Sequence, residues 1–127
     1  AYMAGIKTGA FFMLGYPGET DDTVLRTLRF ASSLPLDYVS YTVPYPLPGT
    51  ALYDRMKDKV TKEWRDRPGL LTDHALIFKG DFSAVKMKCA LLKGETQFLL
   101  RKKLGKLAPL AVKPFEIASD AVFRLLK

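Results

Sequence analysis

Gly9-Ala10-Phe11-Phe12-Met13-Leu14-Gly15-Tyr16-Pro17-Gly18-Glu19-Thr20 carries the reading of the fold. The apolar run 9–14 is short for a helix and is closed by a glycine. That fits a strand buried on both faces, as in a parallel sheet. Residues 15–20 are a turn by composition. Thr20 reads as a helix N-cap, and Asp21 and Asp22 complement the dipole of the first turn. Val24, Leu28 and Ala31 recur at helical spacing, with Leu25 beside them. Pro35 disfavours helical geometry at Leu34, so this helix is expected to end near Ser33. Residues 38–43, β-branched and aromatic, predict a second strand. Pro44, Pro46 and Pro48 impose a stiff extended loop. Thr50 caps a short helix over about 51–59, with Leu52 and Met56 on one face. Strand, turn, helix, strand, loop and helix in this order predict an α/β fold with the two strands adjacent and parallel.

Further along, the punctuation is less regular. Trp64, Arg65, Pro68, Gly69 and Gly80 suggest irregular structure, with a short strand at 75–78. A helix is expected from Ser83 to about Leu104, interrupted or kinked near Gly94. Pro109 and Pro114 read as breaks. A last amphipathic helix, 115–126, places Phe115, Ala118, Val122 and Leu125 on one stripe, expected to pack on the rest of the domain. Cys89 reads as a small buried hydrophobe. The predicted organisation is a first unit over 1–59 and a mainly helical extension over 60–127.

Composition bounds the function. At 127 residues with 12% aromatics, the chain is one domain or a piece of one, with enough apolar surface for a core. One Cys and one His exclude both a disulfide scaffold and a Cys/His zinc site. No apolar run reaches the roughly 18 residues of a membrane-spanning helix. No basic start with an apolar core marks a secretory signal, so the cytoplasm is the expected location. The net charge of +7 is uneven: residues 1–60 balance six basic against six acidic side chains, whereas 81–127 hold ten against four. Arg101, Lys102, Lys103 and Lys106 form the densest cluster. It reads either as a solvated helix face or as a surface for nucleic acid or another anionic partner. No Arg-Gly or aromatic-interleaved repeat points to nucleic acid.

The turn at 15–20 is where chemistry could live. It leaves the carboxyl end of a strand and enters a helix N-terminus, the edge at which α/β folds bind ligands. Gly15 and Gly18 permit close backbone approach. Unpaired amides at the helix start favour an anion or a polar ligand edge, and the Glu19 carboxylate could hold an amine or a ribose hydroxyl. A tight Pro17-Gly18 turn solvated by Glu19 accounts for the same residues. The segment is neither a P-loop nor a dinucleotide fingerprint, because the required Gly and Lys spacings are absent. His74, the single histidine, has no nucleophile elbow near it.

Taken with Thr27-Leu28-Arg29-Phe30-Ala31 and Pro46-Leu47-Pro48-Gly49-Thr50-Ala51-Leu52-Tyr53, the stretch Gly5-Ile6-Lys7-Thr8 through Thr20 resembles the later part of the radical S-adenosylmethionine (radical SAM) barrel. The closest likeness is to the branch whose members often carry an N-terminal cobalamin-binding domain. It covers residues 1 to about 59; the helical remainder resembles the variable C-terminal extension of such proteins only loosely.

The resemblance implies the C-terminal βα units of a partial (β/α) TIM-like barrel. In the family a Cys-x-x-x-Cys-x-x-Cys loop holds a [4Fe-4S] cluster, at which S-adenosylmethionine is cleaved reductively to a deoxyadenosyl radical. The strand ending at Gly15 is similar to the family's fifth strand, whose backbone contacts the adenosyl part of the cofactor. On that match Met13, Gly15, Pro17 and Gly18 line or approach the cofactor, and Glu19 shapes the turn. Strand 38–43 would be the sixth, with Tyr41 and Pro44 near the site mouth. Cobalamin is a further candidate cofactor, through a domain outside this chain. The three-cysteine motif is absent, and Cys89 alone cannot hold a cluster. A whole barrel takes roughly 250 residues. The chain is therefore expected to be the C-terminal part of a longer enzyme, inactive alone, with the upstream barrel as its partner and a substrate its sequence does not name.

Overall fold

A computed structural model describes residues 4–60 and 80–126. The first unit is strand β1 (Gly9–Met13), helix α1 (Asp21–Ser33), strand β2 (Tyr38–Thr42) and helix α2 (Ala51–Met56), which runs into a 3-10 turn at Lys57–Lys59. A long helix α3 (Ala84–Leu104), a 3-10 link at Gly105–Leu107 and a helix α4 (Ala108–Leu125) follow. Among the described residues this is a mixed α/β fold, with a two-stranded parallel sheet and four α-helices. His74, the strand expected at 75–78 and the residues around Trp64 lie outside the described residues.

β1 and β2 pair in parallel with Gly9 opposite Tyr38 and Met13 opposite Thr42, and α1 connects them. Leu14 N–H extends the ladder to the Thr42 carbonyl at 2.8 Å. The caps fall where composition put them. Thr20 and Thr23 form a reciprocal capping box at the start of α1, and Asp21 and Asp22 occupy its first turn. Leu34 is already extended ahead of Pro35. The Thr50 hydroxyl accepts from Tyr53 N–H at 3.2 Å and starts α2.

The core lies under one face of the sheet. Leu14, Val39, Tyr41 and Val43 pack with Val24, Leu25, Leu28 and Ala31 of α1, and with Met87, Ala90, Leu91 and Phe98 of α3. The other face is open: Phe11 is 78% and Met13 48% exposed, and Tyr38 stands edge-on to Phe11. The expectation that β1 is buried on both faces is corrected, because no described element covers that side.

The helical hairpin brings three more corrections. α3 does not break at Gly94. A Cβ there would lie 2.7 Å from the Tyr41 ring and 2.8 Å from Leu28, so the glycine lets α3 press against β2 and α1. Nor does Pro114 end a helix: α4 runs through it, while Pro109 sits in its first turn, where a missing N–H is tolerated. The buried stripe of α4 is Ala108, Val112 and Phe123, so the predicted stripe is on the wrong face: Ala118, Val122 and Leu125 are exposed. Cys89 is half-buried.

A polar network holds the hairpin to α1. The Lys93 side chain, 2% exposed, places Nζ 2.8 Å from Asp120 Oδ1 and donates to Ser119 Oγ at 2.8 Å. Arg29 of α1 pairs with the same Asp120. Gln97 Nε2 donates to Ser32 Oγ at 2.9 Å and to Glu116 Oε1 at 2.5 Å. Arg101, expected on a solvated face, also donates to Glu116, at 2.9 Å.

Candidate functional site

The turn after β1 is rigid by construction. Gly15 (φ +82°) and Gly18 (φ +93°) both adopt left-handed geometry, which favours glycine. Glu19 Oε2 accepts from Gly15 N–H at 2.6 Å and from Tyr16 N–H at 3.1 Å. Glu19 N–H in turn donates to the Tyr16 carbonyl at 2.9 Å. Gly18 N–H donates to Asp81 Oδ2 at 3.1 Å. These carboxylates occupy the amides of Gly15, Tyr16 and Gly18, and the Thr20 hydroxyl takes Thr23 N–H at the helix start, so the turn itself is not a vacant anion nest. It is a fixed backbone shape with an acidic rim, held from beneath by Met87, whose Sδ and Cε lie 3.1 Å from a Cβ built on Gly15.

The structure brings Met13, Gly15, Pro17, Gly18 and Glu19 together at the carboxyl edge of the sheet. Met13 projects from the open face, and a Cβ built on Gly18 would have no neighbour within 4 Å. Pro44 is buried just beyond the end of β2, at the same edge. Tyr41 is not brought to them. One residue out of phase with Met13's partner Thr42, it points to the opposite side of the sheet and is buried against Gly94. Burial pushes its phenol up to about 12, helped by Glu95. Its hydroxyl has no hydrogen-bond partner among the described residues. Tyr41 is thus packed beneath the sheet, away from the open face.

Asp81 and Met87 brace this turn from more than sixty residues away, and sequence reasoning missed both. Neither belongs to a motif, and a contact at that separation leaves no local signal. At the opposite edge of the sheet, a groove of about 640 Å³ lies between the segment 32–37 and the α3–α4 link, bordered by Phe98, Arg101, Lys102 and Lys113. Lys102 donates to the Asp37 carbonyl there. The basic cluster and the turn are therefore at different ends of the fold.

The chain is 30% identical over 103 residues to an uncharacterized methyltransferase of Pyrococcus horikoshii. The match takes in 79% of this chain and 22% of that protein, so the chain spans about a fifth of the length of the curated relative. No family model matches, and no solved structure matches.

What the carboxyl edge can do follows from its groups. It offers a thioether, two glycine backbones and a fixed turn, which suits contact with a flat, partly apolar ligand rather than proton transfer. No group of three or more His, Cys, Asp or Glu side chains that could hold a metal ion occurs among the described residues. No described helix is long and apolar enough to cross a membrane.

Proposed function

We propose that this chain is part of a radical S-adenosylmethionine enzyme, and that β1, β2 and the turn 15–19 form one section of the barrel wall that receives the adenosyl part of the cofactor. The observation that carries this reading is the pinned turn. Glu19 fixes the backbone of Gly15 and Tyr16 at the carboxyl end of β1, while Met13 stands open beside it. The motif order and the methyltransferase name of the Pyrococcus relative support the same reading.

The residues present fit the adenosyl group. Met13 offers an apolar, polarizable wall. Gly15 and Gly18 keep the backbone bare, Pro17 stiffens the turn, and Pro44 packs at the same edge from β2. Glu19 is a positioning residue, its carboxylate consumed by the turn. Tyr41 supports the sheet from below. When bound, S-adenosylmethionine supplies an activated one-carbon or adenosyl group; this chain's part is to bind and orient it. The iron–sulfur cluster does not fit here. Cys89 is a lone, half-buried thiol on α3, so cluster ligands belong to other parts of the enzyme, as would any cobalamin.

The test is cofactor titration of the full-length protein under anaerobic conditions. Met13 is a cleaner probe than Gly15, where any side chain meets Met87 as well as strained geometry. Met13→Glu should weaken binding more than tenfold, roughly 1.4 kcal/mol, with an unchanged melting temperature. Lys7→Gln, at the far end of β1, should bind as the parent does. Normal binding by Met13→Glu would remove the open face from the site.

A further inference from the structure

We infer that Asp81 is a positioning residue for the cofactor turn, and that it locks the peptide plane between Pro17 and Gly18. The inference rests on the reading of 15–19 as the turn that receives the adenosyl group. Residues 16–19 form a β-turn, closed by Glu19 N–H on the Tyr16 carbonyl at 2.9 Å. Proline holds its own φ at about −65°, and Gly18, which follows it, has φ +93°. That pair of signs makes the turn type II rather than type I. Both types share the closing hydrogen bond. They differ in the central peptide, which is flipped over between them.

The closing bond therefore does not choose between the two forms, and glycine accepts either sign of φ. Nor does the Glu19 carboxylate choose, because it holds the amides of Gly15 and Tyr16, outside the central peptide. Gly18 N–H does belong to that peptide, and among the described residues its partner is Asp81 Oδ2, at 3.1 Å. In a type I turn the Pro17 carbonyl would replace this N–H and face the carboxylate, oxygen against oxygen. Asp81 thus favours type II by attraction in one form and repulsion in the other.

The chain around Asp81 is anchored well enough to hold it there. Phe82, its neighbour, is buried in the core. Lys86 Nζ lies 2.9 Å from Asp21 Oδ1 at the start of α1, and Met87 lies beneath Gly15. The residues after Asp81 are therefore docked against both ends of the segment 15–21, while Asp81 itself is exposed. The lock has a consequence on the other side of the turn. The peptide is trans, so its C=O points opposite to its N–H. The Pro17 carbonyl accordingly points away from Asp81, and it has no hydrogen-bond partner among the described residues. A bare carbonyl in a fixed direction suits a ligand donor, and the adenosyl part carries an exocyclic amine and two ribose hydroxyls. Asp81 aims that acceptor without touching the ligand.

Anaerobic titration of the full-length protein with S-adenosylmethionine tests this. Asp81→Ala should weaken binding about tenfold, at an unchanged melting temperature, because the side chain is exposed. Asp81→Asn keeps a carbonyl oxygen at the same reach and should bind within about threefold of the parent. A merely structural role would lower affinity and melting temperature together, and that result would overturn the proposal. Equal losses from Asp81→Ala and Asp81→Asn would overturn it too, since charge rather than the held peptide would then be the cause. Normal binding by Asp81→Ala beside weak binding by Met13→Glu would sink the lock and leave the adenosyl site standing. Normal binding by both variants would remove the site, and the lock with it.

Discussion

The unit 4–60 and the hairpin 80–126 are held by different means. In the first, each element announces its own ends: Thr20 and Thr50 cap, Pro35 stops, and glycines bend the turn. Its packing is aliphatic and aromatic, and its polar contacts are mostly within a few residues of one another. In the second, stability depends on distant partners. Lys93, Gln97 and Arg101 are satisfied only once α4 has folded back, and Arg29 of α1 completes the network. Local chemistry builds one region, whereas long-range contacts, apolar as well as charged, place the other.

The largest expected effect breaks that placement. Asp120→Asn leaves Lys93 buried with its charge uncompensated and deprives Arg29 of its partner. The expected loss is about 3 kcal/mol, read by urea denaturation. Hydrogen exchange should rise first in α4 and leave the amides of β1 protected. Equal loss of protection in both regions would mean that they are not held separately.

Gly94 sharpens the comparison through the sign of an effect. By helix propensity alone, Gly94→Ala should stabilise a helix interior by about 1 kcal/mol. Here the added methyl meets the Tyr41 ring and Leu28 at less than 3 Å. We expect destabilisation of about 2 kcal/mol instead. A rise in the denaturation midpoint would show that α3 does not press on β2.

The smallest effect belongs to the first unit. Thr20→Ala removes one side of the capping box and should cost about 1 kcal/mol. Thr20→Asp, which keeps an acceptor at the N-cap, should recover most of it. A larger loss from Thr20→Ala would mean that the cap is coupled to the neighbouring Glu19 turn.

Sequence and tertiary structure divided the work along the same line. Strands, caps, the stop before Pro35 and the α2 start were legible because each depends on a few adjacent residues and their backbone preferences. The glycine turn after β1 was legible as a place, and its residues do converge. That Asp81 takes Gly18 N–H and that Met87 packs beneath Gly15 was not, because both residues come from the far side of the chain. Gly94 reads as a breaker in one dimension and becomes a contact point when a ring lies over it. Pro114 sits on the solvent side of α4, where the helix tolerates a missing N–H. Tyr41 and Met13 both lie in strands, yet only the pairing register and the cover of α1 and α3 decide which one is buried. An amphipathic pattern states that a helix has faces. Which face is covered depends on neighbours that periodicity cannot name, and on α4, apolar on two sides, that choice was left to the tertiary fold.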